Sequence, residues 1–130
     1  MKLAERIQDA LMHAVVELDE PVLDLIQRAY AQEERKPAQA VLDAILKNLE
    51  LAKETSLPMC QDTGLLLVFA DVGRTCPLSL ASIEASIMEG CETAVQQAYF
   101  RRSIVDEPVF DRTNTQNNLP PVIWWNLVEG

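Results

Sequence analysis

Between Gly64 and Gly73 the chain reads Leu-Leu-Leu-Val-Phe-Ala-Asp-Val, a short apolar run with glycine at both ends. A run this short and this rich in leucine, valine and phenylalanine predicts a buried strand, over Leu65–Val72. What precedes it has a helical period. Leu3, Ile7, Ala10, Leu11, Ala14 and Leu18 fall on one stripe at helix spacing. Asp19 reads as the cap of a second helix with Pro21 in its first turn, and Val22, Leu25, Ile26 and Ala29 continue one face of it. Pro37 opens a third helix whose apolar face is Val41, Leu42, Ile45, Leu46, Leu49 and Ala52. That helix must stop before Pro58, which restrains its predecessor and has no N–H to donate.

Beyond the strand, Ser82–Tyr99 has the pattern of a helix that buries Ile83, Ile87, Cys91, Ala94, Val95 and Ala98. The stretch FDRTNTQNNLPP is a run of turn formers, and VIWWNLV after it predicts a second strand over Val122–Val128. The expected class is therefore α+β, a helical N-terminal half packed on a small β-sheet. With 130 residues the chain holds one domain at most. Its two tryptophans and the sheet-like WNLVEG segment suggest the N-terminal portion of something larger, with an exposed apolar patch where a partner would sit.

The formal charge of −9 argues against nucleic acid as a partner, because phosphate binding needs a basic surface. An acidic protein can still hold a small dicarboxylate in a pocket built from a few arginines. No apolar run approaches the ~20 residues of a membrane span, and the opening MKLAERIQDALMHAVVELDE lacks the apolar stretch of a signal peptide. A cytoplasmic location is the expectation. The three cysteines, Cys60, Cys76 and Cys91, include no CxxC pair, which argues against a disulfide scaffold or a zinc finger.

The chemistry concentrates in Cys60-Gln61-Asp62-Thr63-Gly64, between Pro58 and the strand. Cys60 can ligate a metal or attack carbon. The one histidine, His13, stands in the first helix without a local motif, so a Cys–His nucleophile is a poor reading and a metal or cluster ligand a better one. Asp62 can move a proton or simply bond its own turn. Gln61 suits a substrate carboxylate or hydroxyl, or is a plain surface amide. Arg101 and Arg102 follow the last helix; a guanidinium grips a carboxylate with two parallel bonds, or pairs on the surface with Asp106 or Glu107.

With these residues in place, LPMCQDTGLLLVFADVG resembles the cluster-binding entry of the class I iron–sulfur fumarase and L-tartrate dehydratase family, where P-x-C-Q-D-T-G precedes an apolar strand. AQAVLDAILKNLELAKE resembles the helix before that motif. The segment from Glu89 to Ile123 resembles the family's helix, its L-R-x-S-V-V-x-D-P stretch and its R-x-N-T-G-D-N-x-P loop. The likeness covers almost all of the chain after Val16.

The resemblance implies that Cys60 is one of three cysteine ligands of a [4Fe–4S] cluster whose fourth iron stays open. It implies that Gln61 and Arg101 contact a bound dicarboxylate and that Asp62 belongs to the proton-transfer machinery. It further implies a hydro-lyase acting on fumarate and malate or on tartrate. The partner would be a beta subunit or C-terminal domain, in a homo- or hetero-oligomer. There are departures. Gln116 and Asn117 stand where the family has Gly-Asp, Leu119 replaces a threonine, and Trp124 stands where a histidine is expected. The other two cluster cysteines of the family lie outside this sequence, and Cys76 and Cys91 read as packing or loop residues. Two readings of another kind remain beside the enzyme: a non-catalytic binding module derived from the hydratase fold, and a thiol redox protein.

Overall fold

The computed structural model describes residues 2–62 and 64–130. The elements run α1 (Leu3–Ala14), α2 (Glu20–Gln32), α3 (Lys36–Thr55), β1 (Leu67–Gly73), α4 (Leu80–Gln97) and β2 (Val122–Val128). No described helix is long and apolar enough to cross a membrane.

α4 is the centre of the core. Ser79 caps it, accepting the Ser82 N–H at 3.1 Å. All six positions expected to be apolar and internal are buried. They share one cluster with Leu3, Ile7 and Leu11 of α1 and with Val68, Ala70, Val72 and Ile123 of the sheet. α1 crosses α4 at Gly90, where a Cβ would lie 2.6 Å from the Ala4 carbonyl oxygen and 2.9 Å from Ile7 Cβ. Glycine is there because two helix backbones touch.

β1 and β2 are parallel and pair from Leu67↔Val122 to Gly73↔Val128, with α4 inside the crossover between them. Side chains alternate along a strand. Val68, Ala70 and Val72 therefore turn toward α4, and Leu67, Phe69 and Asp71 turn away.

The sequence pattern overstated one feature. α1 stops at Ala14, so Ala10 and Ala14 face solvent and Leu18 lies in the connector beyond it. Buried Ala4 takes the place that those alanines were expected to fill. Asp19 does occupy the start of α2, but its side chain makes no cap bond; its carbonyl accepts from Val22 and Leu23 instead. α2 and α3 pack on each other and leave Val22, Leu25, Val41 and Ile45 exposed. The cover of the sheet is thus α4, with α1 behind it, and the α2–α3 pair stands beside that core.

Candidate active site

The chain reaches the polar pentapeptide through a tightly held turn. α3 closes at Ser56, which takes a left-handed conformation (φ 56°), and the Leu57 N–H reaches back to the Ala52 carbonyl at 3.2 Å. Two residues later both backbone groups of Met59 are engaged. Its N–H donates to the Val15 carbonyl at 2.8 Å, and its carbonyl accepts the Asn48 side-chain amide of α3 at 2.7 Å. The residue before Cys60 is therefore pinned from two sides. Cys60 itself is exposed, and its thiol donates to the Asp62 carbonyl at 3.3 Å. Gln61 and Asp62 are exposed too. Thr63 lies outside the described residues. Gly64, at φ 67°, then makes the left-handed step that L side chains resist and delivers the chain to β1.

The second segment comes from the far end of α4. Ala98 and Phe100 are buried, while Tyr99 and Arg101 are exposed. Phe100 acts as the anchor, and the residues on either side of it project outward. Tyr99 has φ 57°, a strained conformation for an aromatic residue.

The asparagine loop grips this segment by its backbone. Asn118, with no exposed surface, donates to the Arg101 carbonyl at 2.8 Å and accepts the Ile104 N–H at 3.2 Å. Asn114 donates to the Arg102 carbonyl at 2.9 Å, and the Thr115 N–H reaches the Ile104 carbonyl at 2.9 Å. A buried amide bonded at both its oxygen and its nitrogen locks a backbone at little net cost, whereas one left unpaired is expensive.

These pieces converge. Cys60, Gln61 and Arg101 line one open pocket of about 500 Å³ together with Asn48, Pro58, Met59 and Tyr99. Asp62 sits next along the chain but is not among the lining residues. A thiol, an amide, a phenol and a guanidinium around one hollow can receive an anionic ligand and, through sulfur, a metal. Arg101 is available for that use. Among the described residues neither Arg101 nor Arg102 is in an ion pair. Glu107, one surface partner considered for it, accepts the backbone N–H groups of Phe110, Val109 and Asp111, and these hold its carboxyl below the usual range. A second cleft, of about 150 Å³, lies among Val16, Leu18, Leu23, Leu46 and Leu49. At its rim Glu17 and Lys53 pair with each other at 2.7 Å, and Gln27 and Glu50 complete the polar lining.

The other cysteines lie elsewhere. Cys91 is walled into the core, and burial pushes its thiol up to about 11. Cys76 is exposed in the turn after β1. Among the described residues no group of three or more His, Cys, Asp or Glu side chains is placed to hold a metal ion. Trp124 is on the outer face of the sheet, stacked on Phe69 and away from the pocket.

Comparison with known proteins decides the relationship. The sequence model of the family described as Fumarate hydratase (Fumerase) matches residues 4–130. The chain belongs to the fumarate hydratase family. A chain of Methanocaldococcus jannaschii with the provisional name L(+)-tartrate dehydratase subunit alpha is 31% identical over 106 residues, 81% of this chain and 37% of that one. The L(+)-tartrate dehydratase subunit alpha of Escherichia coli K12 is 25% identical over 130 residues, 98% of this chain and 42% of its own length. The chain thus spans about two fifths of the length of these relatives.

Membership gives meaning to one departure. Position 116, where the resemblance expects glycine, has φ 65°, so Gln116 occupies a conformation suited to glycine. Its N–H donates to the Asn114 side chain at 2.7 Å, which holds the turn despite the strain. Asn48, Tyr99 and Asn118 were not singled out from sequence. Asn48 did carry a signal: it is a polar residue between Ile45 and Leu49, breaking the apolar stripe of α3.

Proposed function

We propose that this chain is the N-terminal portion of the alpha-type region of an iron–sulfur hydro-lyase, which adds water to or removes it from a small dicarboxylate. Fumarate and malate are the leading pair, and tartrate is the alternative. The observation that carries the reading is the convergence on one pocket of the adjacent Cys60 and Gln61 with Arg101, which is distant from them in sequence.

The donor set fits one corner of a [4Fe–4S] cluster and no more. Cys60 offers an accessible sulfur beside the pocket, while Cys91 is sealed in the core. Further cysteines from outside this sequence would complete the cluster, and when bound it supplies a Lewis acid for the substrate hydroxyl. This chain's own residues do the rest. Arg101 clamps one carboxylate through its planar fork and stabilises the charge that builds there as the neighbouring C–H proton leaves. Gln61, able to donate and accept, orients the second carboxylate or the hydroxyl. Asp62, at the pocket's edge, takes or returns a proton. Free thiols at Cys60 and Cys76 suit a reducing compartment such as the cytoplasm. The partners are the remainder of the alpha-type region and a beta subunit or C-terminal domain.

The test joins the chain to the rest of an alpha-type subunit, co-expresses it with the partner subunit, and assays fumarate, malate and tartrate. Cys60→Ser should reduce turnover by more than the roughly 10–100-fold that changes around a ligand cost. Arg101→Lys should raise KM by about tenfold through loss of the two-pronged contact. Unchanged turnover in Cys60→Ser overturns the reading. An iron-free, inactive protein that still binds dicarboxylate turns it toward a binding module.

A further inference from the structure

One face of the sheet is bare. Leu67 and Phe69 of β1 and Val122 and Trp124 of β2 lie on the side turned away from α4. The Phe69 and Trp124 rings stack at 6.5 Å between centroids and 14° between planes, yet the two residues are 76% and 60% exposed. Further along the same face the Asn126 amide donates to the Asp71 carboxylate at 2.9 Å, so the apolar area has a polar margin. Among the described residues the sheet has two strands and no cover on this side. Parallel strands are normally covered on both faces, and two strands alone are marginal. An aromatic pair on such a surface marks an interaction site.

We propose that this face is the docking surface for the remainder of the alpha-type region, which contributes an apolar layer over Leu67, Phe69, Val122 and Trp124. The inference rests on the reading of the chain as the first part of such a region. Two observations choose this occupant over a second copy. More than half of each matched relative lies outside the matched part, which is 37% and 42% of their length. A second copy would also bring one net charge of −9 against another across a small patch. The location has a consequence for the pocket. β1 is the strand into which the Cys60–Gly64 turn leads, so covering this face fixes the strand that presents the turn.

The test mixes the 130-residue chain with a separate polypeptide, the part of the Methanocaldococcus jannaschii alpha subunit outside the matched stretch. Binding is followed by native mass spectrometry and by acrylamide quenching in a Trp125→Phe background, where Trp124 is the only tryptophan. The expected result is a one-to-one complex in which quenching of Trp124 falls several-fold. Phe69→Asp and Trp124→Glu, both at exposed positions, should each weaken binding by about tenfold or more. Val41→Asp, on the exposed face of α3, should leave it within about twofold. Circular dichroism checks that each variant folds.

Absence of a complex overturns the inference, as does a complex that forms equally well with Phe69→Asp and leaves Trp124 quenched as before. A homodimer of the chain that Phe69→Asp dissociates overturns it too, assigning the face to a second copy. The functional reading is judged separately, by the dependence of activity on Cys60 in the assembled enzyme, so either can fail without the other.

Discussion

Cys91 has no exposed surface and shares a cluster with Ile87, Ala94 and Val95, whereas Cys60 stands in the open on a turn held through the backbone of its neighbour. The core positions residues by volume, with helices so close that only glycine fits at their crossing. The pocket positions residues by hydrogen bonds from Asn48, Asn114 and Asn118 to main-chain groups, which leaves the side chains of Cys60, Gln61 and Arg101 exposed, the Cys60 thiol engaged only with the nearby Asp62 carbonyl. That difference explains why one thiol is sealed and inert and the other accessible. A site that must receive a ligand cannot be held by packing against that ligand's own space.

The largest effect that would sharpen this contrast is at Gly90. Gly90→Ala places a Cβ against the Ala4 carbonyl, and backbone cannot swing aside. We expect a loss of about 1–3 kcal/mol in urea unfolding, with the pocket's ligand contacts unaffected in the folded fraction. A neutral result would mean that α1 rests on α4 more loosely than described. Next is Asn118→Ala, which leaves the Arg101 carbonyl and Ile104 N–H without partners, at a cost of about 1–3 kcal/mol. Faster hydrogen exchange at the Ile104 amide should accompany it. Unchanged exchange would break the claim that asparagines hold the pocket.

Cys91 allows a pH test. Its thiol ionises from its ordinary 9.0 in the unfolded chain but only near 11 when folded, because burial disfavours the thiolate. The folded state is therefore favoured in full below pH 9.0 and loses this contribution as pH rises toward about 11. Denaturation against pH should show that fall in the native chain and a smaller one in Cys91→Val, the difference isolating this group from lysines and tyrosines. Equal falls would contradict the sealed-core description. The smallest expected effect is a gain: Gln116→Gly, which relieves a left-handed residue, should stabilise by roughly 0.5–1 kcal/mol.

The same contrast governs what could be read from sequence. The apolar face of α4 was legible in full, because periodicity reports burial on a helix packed on two sides. The faces of α2 and α3 were legible as helices but not as exposed ones, since Val22, Leu25, Val41 and Ile45 look internal in a pattern while nothing among the described residues covers them. Strand positions were near, with β1 beginning at Leu67 instead of Leu65. Their parallel pairing was not readable, because it is set by the crossover through α4. In the pocket, Cys60, Gln61 and Arg101 were recognisable from motif and chemistry. Asn118 was not, and Asn48 showed only as a break in the apolar stripe of α3, because each acts on the backbone of a segment distant in sequence. Gly90 was silent for a similar reason, its role being defined by what lies across from it.

The most direct test is anaerobic iron–sulfur reconstitution of the chain assembled with the rest of an alpha-type subunit, read by absorption spectrum and iron content, with Cys60→Ser alongside. The expected result is a cluster of about four irons in the assembled protein, lost with Cys60→Ser and kept with Cys76→Ser and Cys91→Ser. A cluster that survives Cys60→Ser, or one that depends on Cys91, would contradict it.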